Sequence, residues 1–394
     1  MTGILHERYL EFADLTMVEY YGQIFTYREM HGMISQAAEA LKAAGIKKGD
    51  RVALHLPNSP WHPIFFLGTL WMGGVVAHLS PMDAERELQF KIEDCGAKLV
   101  ISLTTPEFCC KFKPLIDQGT CPPLYLCHDS VSANGRACPV IKGAHSVEDL
   151  LNGFPAQPAP PVEMQPEDLA MLQYTGGTTG IPKAAKLTHA NLSCAQQMYF
   201  EFSKNEPAHQ PGASTVFFSP LFHILGVSSG LIRRSSEGCT FHLRQRFDAE
   251  AVVQEIAEKK INSMGGVPTS WIAVLSVPGI ENADLSSLKY IGSGGAPLPR
   301  DVYDKMRDLT GLELRGGWGM TETAPAGTAV PMGMPDDKLG TIGIPLPGLD
   351  LKIVAADDCE RELAPGEQGE IVIKGPNVTS GYWNKTDEEN AELF

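Results

Sequence analysis

The sequence predicts an α/β fold with two helix-covered β-sheet subdomains in a layered arrangement and a small β-barrel at the end. Short apolar strands alternate with helical segments along most of the 394 residues, which is the order expected of sheets covered by helices. After Gly340 the pattern changes to short strands separated by turn residues, which indicates a small β-structure.

The first α/β subdomain is predicted for residues 1–157. Its first helix spans 25–45, because Thr26 can cap it, Glu29 stands three residues later and Gly45 can end it. The elements that follow alternate in type: a strand at 51–57, helices near 60–74 and 84–95, and strands at 98–102 and 124–127. Five prolines between positions 155 and 166 mark the end of this subdomain.

The second α/β subdomain is predicted for residues 158–340 and repeats the alternation. Its predicted strands lie at 169–174, 214–219, 239–243 and 288–293, and its helices near 189–204, 248–260 and 298–310. Asp248 can cap the second of these helices and Gly311 can end the third. The small β-barrel is predicted for residues 341–394.

Composition excludes several classes of protein. The net charge of −15 disfavours nucleic acid and anionic membranes as partners. The N-terminus lacks the apolar run of a secretory signal, and no stretch reaches the roughly 18 apolar residues of a membrane span. We therefore expect a soluble cytoplasmic protein. Nine cysteines without a framework spacing indicate reduced thiols, and those between 109 and 138 lack the paired spacing of a zinc site.

A phosphate-binding loop is predicted directly after the strand 169–174. Its glycines can turn the backbone sharply and present N–H groups to an anion, while its threonines add hydroxyl donors and its lysine adds positive charge. These residues are Thr175, Gly176, Gly177, Thr178, Thr179, Gly180 and Lys183. Ile181 and Pro182 separate the last glycine from the lysine, which disfavours a Walker-type kinase loop. The alternative is a flexible surface turn.

The loop resembles the phosphate-loop signature of the adenylate-forming superfamily, which contains acyl-CoA synthetases, peptide-synthetase adenylation domains and luciferases. Further stretches resemble the motifs of that family in the same order, at 25–30, 68–82, 219–226, 290–299, 316–323 and 369–382. They cover nearly the whole chain, which most resembles a fatty acyl-CoA ligase. Two positions depart from the family pattern: Trp318 stands where many relatives carry tyrosine, and Ala184 where glycine is usual.

The resemblance implies roles for individual residues. Catalytic roles fall on Lys183, His223, Thr321 and Glu322, with Thr178 and Glu322 as ligands of Mg²⁺. Adenine and the other parts of the nucleotide are expected at Gly294, Gly295, Ala296, Pro297, Gly317, Trp318, Gly319 and Met320. A lone histidine in an apolar run such as PLFHILG is usually a core residue, but the resemblance places His223 beside the substrate carboxylate.

The implied reaction is ATP-dependent activation of a carboxylic acid to an acyl-adenylate and then to acyl-CoA, with ATP, Mg²⁺ and coenzyme A as cofactor and co-substrates. The PLFH motif and the apolar segments at 220–232 and 264–275 resemble those of fatty acyl-CoA synthetases, which implies a fatty acid, with an aryl acid or a non-catalytic scaffold as alternatives. A homodimer is left open. Because the C-terminal domain of the family and its lysine do not follow Phe394, we expect this chain to be the substrate- and ATP-binding N-terminal part, with little or no overall activity.

Overall fold

The structure is a computed structural model that describes residues 1–176 and 182–391. Its strands, in chain order, are β1 (Thr16–Tyr20), β2 (Gln23–Thr26), β3 (Arg51–Leu54), β4 (Val75–His78), β5 (Leu99–Leu103), β6 (Leu124–Cys127), β7 (Ala144–Ser146), β8 (Leu169–Thr175), β9 (Lys183–Thr188), β10 (Ser214–Phe217), β11 (Thr240–Leu243), β12 (Ser263–Gly266), β13 (Tyr290–Ser293), β14 (Leu314–Arg315), β15 (Gly317–Trp318), β16 (Thr328–Ala329), β17 (Ile344–Pro345), β18 (Asp350–Ala355), β19 (Asp358–Glu362) and β20 (Glu370–Lys374).

The α-helices are α1 (Thr2–Glu11), α2 (Tyr27–Ala43), α3 (Trp61–Trp71), α4 (Glu85–Cys95), α5 (Pro106–Cys109), α6 (Lys113–Asp117), α7 (Ser130–Ala133), α8 (Val147–Leu151), α9 (His189–Ser203), α10 (Arg233–Ser236), α11 (Ala249–Lys259), α12 (Pro268–Leu275), α13 (Arg300–Thr310) and α14 (Asp387–Ala391). A π-helix covers Leu225–Ile232, and short 3₁₀ turns cover Cys110–Phe112, Pro207–His209, Ile280–Asn282, Thr321–Thr323 and Asp336–Lys338. Within the described residues, no helix combines the length and hydropathy needed to cross a bilayer.

Local signals placed several helix ends correctly. Helix α2 begins with the predicted capping box, in which Thr26 Oγ1 accepts from Glu29 N at 3.2 Å and the Glu29 carboxylate accepts from Thr26 N at 2.7 Å. Asp248 caps α11 by accepting from Ala251 N at 3.0 Å. Gly311 ends α13 with a φ of 71°, in the left-handed region that glycine adopts without strain.

Two seven-stranded sheets form the frame of the molecule. The first sheet has the order β7-β6-β5-β3-β4-β8-β9, and the second has the order β14-β13-β12-β10-β11-β1-β2. Neighbouring strands are parallel except for one antiparallel pair at an edge of each sheet, β8 with β9 and β1 with β2. The predicted α/β class is confirmed.

The two sheets exchange strands, which differs from the predicted division at residue 157. Strand β1 lies near the start of the chain but pairs with β11 in the second sheet. Strands β8 and β9 flank the 175–183 loop, and β8 pairs with β4 in the first sheet. The loop that the sequence analysis assigned to the second subdomain, 158–340, therefore stands on the first sheet. Alternation along a chain indicates where strands are, but not which strands become neighbours.

The helices form three layers around the sheets. Helices α4, α5 and α6 cover the outer face of the first sheet, with Leu88 and Leu115 in the core there. Helices α11, α12 and α13 cover the outer face of the second, with Val252 and Val302 in that core. The largest apolar core lies between the sheets and includes residues of α2, α3, α9 and the π-helix. Each sheet is thus buried on both faces, as parallel strands require.

Two small antiparallel sheets complete the chain, with the orders β15-β16-β17 and β19-β18-β20. In the described part of 341–394, where a barrel was predicted, β19 and β20 both pair with β18, so this sheet is open. The turn-rich sequence predicted short strands correctly. A closed barrel would require β19 and β20, the outer strands, to be joined by further pairing, and local sequence does not indicate such pairing.

Candidate active site

One edge of the second sheet carries two of the segments that were predicted to bind the nucleotide, 294–297 and 316–322. Strands β12, β13 and β14 are parallel neighbours, so their carboxyl ends meet at the same edge, where α/β proteins commonly bind ligands. Gly294 N donates to Gly266 O at 3.1 Å. A Cβ built on Gly316 would lie 3.8 Å from Ser293 O. The start of 316–322 therefore lies beside the end of β13, from which 294–297 continues.

The segment 294–297 presents bare backbone to solvent. Gly295, Ala296 and Pro297 are exposed and Gly294 is half-buried. Gly295 has a φ of 77°, which excludes most side chains at that position. Apolar groups border this edge, since a Cβ on Gly294 would lie 4.0 Å from Leu225 Cδ2 and one on Gly295 3.5 Å from Val267 Cγ1. A flat ring or an apolar chain can approach this backbone closely.

The loop from Gly316 folds tightly on itself, and its glycines are required by close approach of the backbone. A Cβ on Gly317 would lie 2.7 Å from Thr328 O, and one on Gly319 would lie 1.5 Å from Pro325 O. The indole of Trp318 packs over Gly327, where a Cβ would lie 2.7 Å from Trp318 Cε3. Met320 is 37% exposed. The loop is thus tightly packed and carries an aromatic side chain, Trp318, and a thioether, Met320.

Thr321 and Glu322 stand at the tip of this loop, in the short turn Thr321–Thr323, and both are half-buried. The loop is tied down from behind by Asn377, a fully buried residue whose Nδ2 donates to Thr323 O and Ala326 O, both at 2.7 Å. Glu322 O accepts from Thr379 N at 2.7 Å. The backbone that carries the predicted metal-binding carboxylate is therefore held at several points.

Lys183 lies at the start of β9, opposite Thr175 at the end of β8. Thr175 Oγ1 donates to Lys183 O at 3.4 Å, which closes the base of the loop between them. Gly176 is exposed. The predicted residues Gly177, Thr178, Thr179 and Gly180 lie outside the described residues. The methyl of Ala184, the residue that departs from the family pattern, is buried.

Lys183 and Glu322 come together through a residue that the sequence analysis gave no role. The Lys183 Nζ lies 5.4 Å from the ring centroid of Tyr382. The Tyr382 hydroxyl donates to Glu322 Oε1 at 2.6 Å. Burial and the Glu322 carboxylate raise the pKa of Tyr382 above its ordinary value, so the phenol stays protonated and remains a donor at neutral pH. The lysine and the carboxylate thus contact different parts of the same side chain, the ring and the hydroxyl of Tyr382.

His223 occupies the turn between β10 and the π-helix. Its side chain is exposed, and its Nδ1 accepts from Leu225 N at 3.3 Å. The surrounding protein lowers the pKa of the imidazole by desolvation, which keeps the ring neutral at pH 7. A neutral ring can donate one hydrogen bond to a carboxylate from its other nitrogen.

Two buried amides from the first sheet hold the turn that carries His223. Asn58 Oδ1 accepts from Leu221 N at 2.8 Å, while its Nδ2 donates to Ser219 O at 3.0 Å and to Arg244 O at 3.2 Å. Gln173 Nε2, on β8, donates to Phe222 O at 2.9 Å. The position of His223 therefore depends on contacts between the two sheets.

The orientation of the Gln173 amide is set by a histidine behind it. Its Oε1 lies 2.9 Å from His78 Nδ1. Burial lowers the pKa of His78 to about 4, so the ring is neutral at pH 7 and donates from Nδ1 to the amide oxygen. The amide nitrogen of Gln173 is left to face Phe222 O.

Sequence reasoning missed Asn58, Gln173, Asn377 and Tyr382. Asn58 directly follows a strand in LHLPNSP, a position from which polar side chains reach the ligand edge of a sheet. Tyr382 closes the segment 369–382 that carried part of the family resemblance. These signals mark the residues as candidates, but their partners are distant in sequence.

Comparison with known proteins finds a matching family model, related sequences and similar solved structures. The family model described as "AMP-binding enzyme" matches residues 5–383. A long-chain-fatty-acid–CoA ligase from Bacillus subtilis is 32% identical over 414 residues, which cover 100% of this chain and 72% of the relative. A feruloyl-CoA synthase from an Amycolatopsis species is 31% identical over 382 residues, which cover 96% and 70% of the two chains. The crystal structure of ATP-bound MatB from Rhodopseudomonas palustris matches with a TM-score of 0.84 at 25% identity, over 100% of this chain and 74% of that one.

Proposed function

The chain belongs to the AMP-binding enzyme family, and we propose that it activates a fatty acid with ATP, forming an acyl-adenylate and then a thioester with coenzyme A. Adenylate-forming ligation of an acid to a thiol is the function that the relatives support. The choice of a fatty acid, the need for Mg²⁺ and the roles of individual residues belong to the proposal.

One observation carries the proposal: Tyr382 contacts both Lys183 and Glu322, and so connects the lysine at the start of β9 to the carboxylate of the 316–322 loop. A carboxylate that attacks the α-phosphorus of ATP brings two anions together, so the site must offset their repulsion and the charge that develops on the phosphate. The Lys183 ammonium supplies positive charge, and Thr321 supplies a hydroxyl donor at the tip of the loop. Trp318 and the backbone of 294–297 offer flat surfaces for adenine.

The residues fit a bound magnesium ion. Mg²⁺ is usually held by one or two carboxylates together with substrate phosphates and water. Within the described ranges, no cluster of three or more His, Cys, Asp or Glu could hold a metal. Glu322 uses one oxygen for Tyr382, and in the described part of the chain no lysine or arginine forms an ion pair with it. When bound there, Mg²⁺ would neutralise charge on the phosphates.

The acid is proposed to bind between His223 and the glycine edge. The neutral imidazole can donate to one carboxylate oxygen and orient the acid toward the nucleotide. Leu225 and Val267 border the same backbone, so the tail of the acid meets apolar groups. This favours a fatty acid over an amino acid, whose ammonium group needs an acidic partner.

An aryl acid is the second candidate, because the feruloyl-CoA synthase is nearly as similar to this chain as the fatty-acid ligases are. An exposed glycine edge accommodates a flat ring as well as a chain. The tail of the acid, not the chemistry of adenylation, therefore separates the two candidates.

Two measurements test the proposal. Calorimetric titration of the chain with ATP and Mg²⁺ is expected to show binding that is lost in Lys183→Ala and weakened in Glu322→Gln. Acid-dependent exchange of pyrophosphate into ATP is then measured with saturated fatty acids of increasing length, with ferulate and benzoate, and with amino acids. Absence of heat at millimolar ATP would overturn the nucleotide site. Exchange that is fastest with an aryl acid would overturn the choice of a fatty acid.

A further inference from the structure

We propose that Tyr382 is a positioning residue that keeps the Lys183 ammonium and the Glu322 carboxylate apart, so that each acts on the nucleotide and its metal ion and the two do not neutralise each other. This inference rests on the proposed function, in which Lys183 contacts phosphate and Glu322 contacts Mg²⁺. Its basis is the geometry already described, with the phenol bonded to Glu322 and the ring facing Lys183.

The backbone around Tyr382 runs beside β9 as an additional antiparallel segment. Tyr382 forms a bridge with Ala185, and on either side of it Lys186 N donates to Gly381 O at 3.0 Å and Trp383 N to Ala184 O at 2.8 Å. Along β9, the first of these bonds involves Ala184, the residue directly after Lys183. The ring of Tyr382 is therefore fixed relative to the strand that carries the lysine.

The same segment is also fixed to the loop that carries the carboxylate. Thr379 N donates to Glu322 O at 2.7 Å, and Thr379 Oγ1 donates to Lys186 O at 2.6 Å. One residue thus ties the backbone of Glu322 to β9. The Tyr382 N–H is itself held by Asn390 Oδ1 at 2.8 Å. Because the segment is hydrogen-bonded both to β9 and to the loop of Glu322, Tyr382 holds the lysine and the carboxylate at a fixed separation.

The chemistry of a phenol suits this role. An aromatic face attracts an ammonium ion without cancelling its charge. A phenol that donates to a carboxylate forms a charge-assisted hydrogen bond, which orients the carboxylate and leaves its net charge in place. A direct ion pair between Lys183 and Glu322 would remove both charges from the site. Tyr382 instead contacts both the Lys183 ammonium and the Glu322 carboxylate while each keeps its charge.

The chain contains a matched control for this arrangement. The Tyr174 hydroxyl donates to Asp94 Oδ2 at 2.7 Å, and the Lys91 ammonium lies 5.5 Å from the Tyr174 ring centroid. Tyr174 is half-buried like Tyr382, but its hydroxyl points to helix α4. A phenylalanine at either position removes one phenol–carboxylate bond and keeps the ring.

The experiment is calorimetric titration of ATP into the chain over a series of Mg²⁺ concentrations. For Tyr382→Phe we expect the Mg²⁺ concentration at half-maximal ATP binding to rise about three- to tenfold, as loss of one charge-assisted hydrogen bond predicts, with ATP affinity at saturating Mg²⁺ nearly unchanged. Tyr174→Phe is expected to bind as the wild type does. A shift below twofold in Tyr382→Phe, or an equal shift in Tyr174→Phe, would overturn the positioning role.

A second readout is independent of nucleotide binding. The rate at which Lys183 is acetylated by acetic anhydride, followed by peptide mass spectrometry, is expected to fall severalfold in Tyr382→Leu, because the lysine can then pair with Glu322. Adding Glu322→Gln to that variant is expected to restore the rate. Unchanged labelling in Tyr382→Leu would contradict the inference. If the wild type binds no ATP, the proposed function fails, while the labelling experiment still decides the role of Tyr382.

Discussion

Replacement of Asn58 by alanine tests whether the turn that carries His223 depends on the first sheet. Asn58 is 2% exposed and serves three backbone groups, Leu221 N, Ser219 O and Arg244 O. A buried polar group left without a partner costs about 1–3 kcal/mol. The two carbonyls can find other donors more easily than the N–H can find another acceptor, so we expect a total loss of about 3–5 kcal/mol.

Urea unfolding followed by tryptophan fluorescence measures that loss. The matched control is Asn262→Ala, because Asn262 Oδ1 also accepts from a backbone group, Ser214 N at 3.0 Å, but at the other end of β10 and only half-buried. That variant is expected to lose about 1 kcal/mol. In folded Asn58→Ala the pKa of His223, followed by NMR, should rise toward the ordinary histidine value as the turn loosens. A loss no larger than that of the control, or an unmoved pKa of His223, would refute the reasoning.

Further predictions concern buried charge, pH and backbone packing. Arg315 and Glu206 form a buried pair with a contact of 2.7 Å between Nη1 and Oε1, so Glu206→Ala should lower the free energy of unfolding by about 3–5 kcal/mol in urea. Burial lowers the pKa of His55 to about 3, below the ordinary 6.5. Below pH 6.5 the unfolded chain therefore binds a proton at this histidine that the folded chain does not bind. The free energy of unfolding then falls as the pH drops, by up to about 1.4 kcal/mol per pH unit for this residue. His55→Leu should reduce the slope of unfolding free energy against pH between pH 6.5 and 5. Gly319→Ala should abolish ATP binding in calorimetry, because its Cβ would overlap Pro325 O.

Sequence reasoning succeeded where the determinants are local. The capping box at Thr26, the cap at Asp248 and the glycine stop at Gly311 each depend on a few neighbouring residues, and all three are present. The strand that precedes 294–297 was predicted at 288–293, whereas the two-residue strand β14 that precedes 316–322 was not.

The rest depends on contacts between residues that are distant in sequence. Tyr382 reaches Glu322 across 60 positions, and Asn58 reaches Ser219 across 161. No periodicity or cap reports such a contact, and each of these residues has an ordinary alternative as a surface or core residue. The exchange of β1, β2, β8 and β9 between the sheets was missed for the same reason, because pairing is decided by burial of whole sheet faces.

That exchange of strands explains how the turn that carries His223 and the start of the predicted phosphate loop are held in fixed positions relative to each other. Strand β8 carries Gln173, whose amide holds Phe222 O beside His223, and two residues later it carries Thr175, where the predicted phosphate loop begins. A shift of β8 would therefore displace His223 and the start of the loop together. If β8 belonged to the second sheet, Gln173 would lack His78, its partner on β4. The contacts between the sheets, more than either sheet alone, therefore set the distance between His223 and the start of the predicted phosphate loop, the two places proposed for the acid and the nucleotide.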